Sequence, residues 1–415
     1  MNLDWYIAKR YLASRKRGRL LSLITWIALG GVTVGVTALI VVIAVMTGMQ
    51  QDLREKILGS TPHVLVLEQG TALRMRGWPK VMETVRSTPG VVAASPFILT
   101  QVTLKRQGQD YAQAADLYGV MADDLAGSVT DMDQEIRSGV HSLKTPPSGL
   151  SPVLVGSGLA DRLQLFTGDT LVVVSMENLR PDLFGGLTPT LRLFEVTGTF
   201  TTGMYDYDTK NLYTTIAAAQ DLLGVDADVV SGIGARTTNA DLATQVGAEV
   251  QDRLGFPYFV DSWITTNKAL FSALKLEKLV MGLILFLIVL VAALNIVSTL
   301  VMVVTDRTRE IGILKAMGMT RGGILRVFVL QGVWIGLIGT ALGALFGTAA
   351  CWVLDRYQII KIPADVYFVD HLPVRLEGAD VAMIVGASVL VAFAATIYPA
   401  LQAAGLMPVE AIRHE

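Results

Sequence analysis

Four stretches of the chain, Leu20–Gln51, Leu279–Thr305, Val327–Leu354 and Val381–Val409, contain no Asp, Glu, Lys or Arg. A bilayer-crossing helix needs about 20 predominantly apolar residues, and all four exceed that length. The pattern predicts transmembrane helices over residues 21–48, 279–305, 327–354 and 381–405 and a large soluble domain over 49–277. A basic run precedes the first stretch, as in a secretory signal. Its apolar core is about twice as long as a signal h-region, and no A-x-A-like site follows it. It is expected to remain as an anchor.

Between the first two stretches the pattern changes to short apolar runs separated by turns. His63–Glu68 and Val91–Thr103 read as strands, and Tyr118–Val120 closes another. A regular series follows: strand Val153–Val155, helix Gly158–Leu165, and strands Thr170–Ser175, Leu191–Phe200 and Asn211–Thr215. Helix Ala217–Leu223, strand Val229–Ala235, helix Ala240–Leu254 and strand Tyr258–Asp261 complete it. Alternation at this spacing predicts α/β or α+β layers. Met176–Thr190 (MENLRPDLFGGLTPT) reads as a long loop carrying Leu179, Leu183, Phe184 and Leu187 among prolines and glycines. Such side chains either pack on their own domain or meet a partner, and the pattern alone favours self-packing.

Charge orients the spans, because Lys and Arg accumulate in cytoplasmic flanks. Lys9, Arg10, Arg15, Lys16, Arg17 and Arg19 precede the first span, and Arg307, Arg309, Lys315, Arg321 and Arg326 separate the second from the third. The 355–380 segment leans acidic, through Asp355, Asp365, Asp370, Glu377 and Asp380. Residues 1–20, 306–326 and 406–415 are therefore expected in the cytoplasm, and residues 49–277 and 355–380 outside. Within the spans, Gly31/Gly35, Gly332/Gly336 and Gly339/Gly343/Gly347 recur at i,i+4, which lets helix backbones approach closely; packing within the chain is favoured over a dimer face. Asn295, Ser298 and Thr299 are expected to hydrogen-bond a neighbouring helix.

Composition narrows the chemistry. The chain is 52% hydrophobic and 17% charged, with a mean hydropathy of +0.50, which suits a membrane protein. A net charge of −2 argues against nucleic-acid binding. With Cys351 alone and His63, His141, His371 and His414 scattered, no metal site or disulfide is expected. Gly156-Ser157-Gly158 follows a strand and opens a helix, but Asp161 stands where a dinucleotide fingerprint has its third glycine, so a tight βα turn is the expectation. No G-x-x-x-x-G-K-[ST], G-x-S-x-G or H-E-x-x-H occurs. A chain without an ATPase or hydrolase site is expected, binding no cofactor of its own.

Asp306–Arg326 (DRTREIGILKAMGMTRGGILR) contains a short amphipathic helix with Ile311, Leu314 and Met317/Gly318 on one face and Arg307, Glu310 and Lys315 around it. Tethered between two spans, it can transmit motion from a docked cytoplasmic protein or lie on lipid headgroups. This segment resembles the cytoplasmic coupling segment of the type VII ABC-transporter permeases, the FtsX/MacB/Lol group. The tail YPALQAAGLMPVEAIRHE (Tyr398–Glu415), with its P-x-E-A-[IL]-R pattern, is similar to the end of the same group's fourth span. WYIAKRYLASRKR, NIVSTLVMVVTDRTREIGIL and LFEVTGTFTTGMYDYDTKNLY resemble the LolC/LolE lipoprotein-releasing permeases. The resemblance runs from about residue 5 to the end.

The resemblance implies four transmembrane helices and an extracytoplasmic α+β domain of the MacB-like periplasmic core type, in a bacterial inner-membrane subunit. It implies two permease subunits, as a homo- or heterodimer, and a cytoplasmic ABC ATPase dimer that binds ATP and Mg. That dimer would engage Arg307, Glu310, Ile311, Leu314, Lys315 and Met317. An acylated lipoprotein, entering from the outer leaflet, would occupy a cavity at Val42, Met46, Met49, Ile264, Leu270 and Leu274 and pass to a periplasmic chaperone. In LolC-type permeases a loop at 176–190 hooks that chaperone, which assigns Leu179, Arg180, Pro181, Leu183, Phe184 and Leu187 to docking. The alternatives are a MacB-like mechanotransmission efflux subunit and an FtsX-like regulator of a periplasmic cell-wall hydrolase.

Overall fold

The computed structural model describes residues 19–70, 74–121, 129–131, 136–139, 143–181, 187–359 and 372–407. The helices are α1 (Arg19–Ser60), α2 (Trp78–Arg86), α3 (Ser157–Leu163), α4 (Tyr205–Lys210), α5 (Ile216–Leu223), α6 (Ala243–Leu254), α7 (Trp263–Thr266), α8 (Lys268–Asp306), α9 (Thr308–Ala316), α10 (Arg321–Tyr357) and α11 (Gly378–Gly405). Four of them, α1, α8, α10 and α11, are long and apolar enough to cross a membrane. They outrun the charge-free stretches: α1 continues through Asp52, Arg54, Glu55 and Lys56, and α8 begins ahead of Lys275, Glu277 and Lys278. The expected cytoplasmic segments 1–18 and 408–415 lie outside the described residues. The chain divides into two compact units, residues 51–273 and the bundle of long helices.

Small residues hold the bundle together. A Cβ on Gly332 or Gly336 of α10 would stand 2.0 Å from Thr396 Cγ2 or 2.4 Å from Ala392 Cβ of α11. On Gly339, Gly343 and Gly347 it would meet Val32, Val36 and Ile40 of α1 at 2.9, 2.6 and 3.0 Å. One helix thus presents two glycine faces to two different neighbours, and the glycine ladder packs within the chain. The closeness brings Thr33 and Thr37 Oγ1 to 3.3 and 3.2 Å of the Gly339 and Gly343 carbonyls, to which they donate. In lipid, where no hydrophobic drive joins helices, such contact and hydrogen bonding carry association. Thr299 is buried, while Asn295 lies 3.4 Å from the position a Gly31 Cβ would take. After α10, the backbone N–H of Arg375 donates to the Ala44 carbonyl at 3.0 Å, seating that segment on α1.

The outer unit is built on β1 (Val64–Glu68), β2 (Met75–Arg76), β3 (Val91–Arg106), β4 (Gln113–Val120), β5 (Ile136–Gly139), β6 (Ser151–Gly156), β7 (Thr170–Pro181), β8 (Leu187–Phe200), β9 (Asn211–Thr215), β10 (Val229–Val230), β11 (Gly232–Thr237) and β12 (Tyr258–Ser262). Its main sheet runs β12-β1-β11-β3-β4-β9-β6-β8-β5, and β7 pairs with both β3 and β8. Pairing therefore returns on itself, β3-β4-β9-β6-β8-β7-β3, and closes a six-stranded ring. Alternation sends Val102, Leu104, Leu117, Val153, Val173, Phe194 and Val196 to one buried cluster, which Leu159 and Leu163 of α3 and Leu222 of α5 complete. A second cluster packs Val64, Val66, Ile98 and Ile233 against Val81 and Val85 of α2 and Val246 and Val250 of α6. The 16-residue β3 threads both. Thus α+β holds, in a ringed form.

Gly156 and Gly158 have a structural reason. A Cβ there would strike the Asp208 carbonyl oxygen at 2.3 Å or Thr209 Cγ2 at 2.6 Å, so both let α4 lie against the β6–α3 turn. Asp208 is buried and accepts from Thr202 N and Oγ1 at 2.8 and 2.9 Å.

Gly336→Leu is expected to destabilise the bundle by about 1–3 kcal/mol or more, as overpacking does. Gly282→Leu, where a Cβ meets nothing within 4 Å, should leave it unchanged. Thermal unfolding of the two variants in detergent checks this.

Candidate functional site

Local sequence sets the geometry of α9. Thr308 Oγ1 donates to the Val304 and Thr305 carbonyls at 3.1 and 2.8 Å, and Arg307 pairs with Glu310 at 2.7 Å across the first turn. Gly318, at φ +97°, ends the helix in a conformation that favours glycine. Two residues later Thr320 caps α10, its Oγ1 accepting from Gly323 N at 3.2 Å. A rigid nine-residue helix is thereby held between two sharp turns.

The six residues assigned to ATPase coupling divide between two faces. Ile311 is fully buried, and Leu314 packs beside it, in a cluster with Val303, Val304, Ile324, Phe328, Ala400 and Ala403. Both side chains seat the helix on α8, α10 and α11. Lys315 is also committed inward, donating through Nζ to the Ala404 and Leu406 carbonyls, each at 2.6 Å. Those carbonyls belong to the last turn of α11 and the residue that caps it, where no intrahelical donor remains for them. Burial, and then the nearby Arg321, holds the Lys315 ammonium below its ordinary value. Glu310 and Met317 stay exposed, and Ile313, absent from the sequence assignment, joins them. The open face is therefore Arg309, Glu310, Ile313 and Met317.

The segment assigned to chaperone docking is not the loop its composition suggested. β7 and β8 extend through it as a hairpin arm, with Arg180 opposite Thr188 and Pro181 opposite Leu187 after an irregularity beyond Ser175. Leu179 is exposed on this arm, as are Met176, Leu191 and Leu193, so the described apolar side chains here are not self-packed. Leu183 and Phe184 lie outside the described residues.

The residues assigned to a lipid cavity fall in both units, Val42, Met46, Met49 and Leu274 in the helix bundle and Ile264 and Leu270 in the outer unit. Val42 packs in the helix-bundle core, and Met46 and Met49 are half-buried along α1. Ile264 and Leu270 pack on the core of the outer unit. Leu274 is buried, and its carbonyl accepts from Gln50 Nε2 at 3.4 Å. Exposed apolar side chains run along α8, through Leu279, Leu283, Phe286, Leu287, Leu290 and Leu294, and others stand on α10 and α11, such as Phe346 and Leu390.

Residues 25–253 match the MacB-like periplasmic core domain, and residues 282–408 match the FtsX-like permease C-terminal region. The lipoprotein-releasing system transmembrane protein LolC of Xylella fastidiosa is 33% identical over 99% of this chain and 98% of its own length. The chain belongs to the LolC/LolE permease family. LolC of Neisseria meningitidis serogroup B is 31% identical with both chains fully covered, and LolE of Haemophilus influenzae is 26% identical over 99% of each. The four apolar helices and the α+β unit are thus those of a permease of this family.

Lys315→Met removes two donors from the α9–α11 junction and is expected to cost about 1–3 kcal/mol. Amide exchange in α9 and in the final turn of α11 should quicken together. Unchanged exchange in α11 would show that the lysine does not link the two helices.

Proposed function

We propose that the chain is the permease subunit of an ABC complex that draws acylated lipoproteins from the outer leaflet of the bacterial inner membrane and hands them to a periplasmic chaperone. The observation that carries this is the end-to-end similarity to the LolC transmembrane proteins of lipoprotein-releasing systems. ATP and Mg would bind a separate cytoplasmic ATPase dimer. That dimer would seat on the open face of α9, and both termini of the permease would lie in the cytoplasm. Because Ile311 and Leu314 bury against three long helices and Lys315 ties in the last turn of α11, a push on α9 would move the bundle ends as one body. The apolar face of α8 suits either acyl chains or a second permease subunit, homo- or heterodimeric; each buried CH₂ contributes about 0.8 kcal/mol.

Release of a labelled lipoprotein from proteoliposomes holding the permease, its partner subunits and ATP tests the proposal. Release that needs both ATP and chaperone is expected; ATP turnover with no release would sink it. Glu310→Arg reverses a charge on the open face of α9 and should uncouple ATP hydrolysis from release while the spans stay folded. Leu179→Glu places a charge on the hairpin and should weaken chaperone affinity about tenfold, equivalent to 1.4 kcal/mol, leaving ATPase binding intact. Unchanged chaperone affinity would exclude this arm from the docking surface.

A further inference from the structure

β1 and β3 carry apolar side chains on both faces. Val64, Val66 and Ile98 enter the core, while Leu65, Leu67, Phe97 and Leu99 point the opposite way. A sheet face turned to water normally alternates to polar residues, so a continuous apolar run needs cover on its second side. Among the described residues that side is a cavity of about 680 Å³, whose wall Val120 and Met176 extend. Its size falls within the ~300–1,000 Å³ usual for pockets that enclose a small ligand. Tyr118 and Tyr213 form one side, their rings stacked with centroids 5.2 Å apart. Burial pushes both hydroxyls up, so neither supplies a charge.

The charged groups of the lining answer one another. Arg74 pairs with Glu177 and donates to Ser231 Oγ at 2.5 Å and to the Leu99 carbonyl at 3.3 Å. Glu177 also accepts from Thr100 Oγ1 at 2.7 Å. With the guanidinium compensated, no net charge is offered to a carboxylate or phosphate. Gln101, Thr130 and Tyr207 also line it, but most of the wall is apolar, and a peptide backbone would leave several of its polar groups unsatisfied there, at about 1–3 kcal/mol each. A bare hydrocarbon chain has no such requirement. Met176, half inside this wall and exposed on the β7 arm, makes the cavity continuous with the hairpin.

We propose that this cavity of the outer domain takes one neutral acyl chain of the lipoprotein substrate, a holding site beside the β7–β8 hairpin. The identity of the substrate rests on the permease function proposed above; the affinity for hydrocarbon does not. Two probes separate them, both applied to the full chain in its complex. The first is a diazirine-bearing palmitoyl methyl ester, photolysed with the complex in nanodiscs without ATP. Adducts are expected on Leu65, Leu99 or Met176, and they should be lost in Leu99→Trp and in Met176→Trp. Leu99 and Met176 are 38% and 61% exposed, so each tryptophan can fill the cavity without entering the core. Adducts confined to the spans, or unchanged in both variants, would overturn the site. The second is a lipoprotein carrying the diazirine on an acyl chain, photolysed during ATP-driven release to the chaperone. Cavity adducts support the holding role; release without any such adduct overturns it. Ester labelling in a complex that releases no lipoprotein would leave the hydrocarbon site standing and remove the lipoprotein as its occupant.

Discussion

The bundle depends on how closely α10 can approach two neighbours at once. Gly332 and Gly336 admit α11, while Gly339, Gly343 and Gly347 admit α1, and the Thr33 and Thr37 hydroxyls reach carbonyls that any larger residue would hold out of range. Dispersion falls off within an ångström of contact, so this fit is all or nothing along the seam. It leaves α10 central and α8 peripheral, with most of the apolar surface of α8 uncovered. The bundle is thereby divided into a tightly seated part and a part with exposed apolar surface.

The short α9 extends that logic to the end of the bundle. Its apolar stripe is spent on the junction with α8, α10 and α11, and its lysine satisfies the exposed carbonyls of α11. The face left over is small and mixed in character: one acid, one base and two apolar side chains. Force applied to it passes into packed side chains rather than a hinge, because packed interiors transmit displacement with little compression.

How much of this was legible in the sequence depended on whether the signal was local. Four long apolar runs report four spans directly, and most strands of the outer unit announce themselves by β-branched runs such as Val91–Thr103. The ends of α1 and α8 were hidden, since the helices continue into charged residues that a hydropathy pattern takes as their limits. Helix α2 was missed because only Val81 and Val85 mark its buried face. Closure of the ring through β7, and the parallel pairs β4–β9 and β6–β8, join residues far apart in sequence and leave no local trace. The Met176–Thr190 arm looked like a loop because Pro181 and Pro189 break the expected alternation, yet its strands still pair. On α9 the apolar stripe marked the packed side, as it does in most amphipathic helices, so Ile313 went unnoticed on the other.

The closed ring has a consequence for how the outer domain comes into being. A strand removed from an open sheet shortens it; a strand removed from a ring exposes two unpaired edges at once, each a template for aggregation. The ring also joins β3, beginning at Val91, to β9, ending at Thr215, so it cannot close until that last strand has emerged. Contacts of such long sequence separation form late and slowly. The half of the domain that carries the hairpin should therefore behave as a single cooperative folding unit, guarded during export by whatever keeps five waiting strands apart.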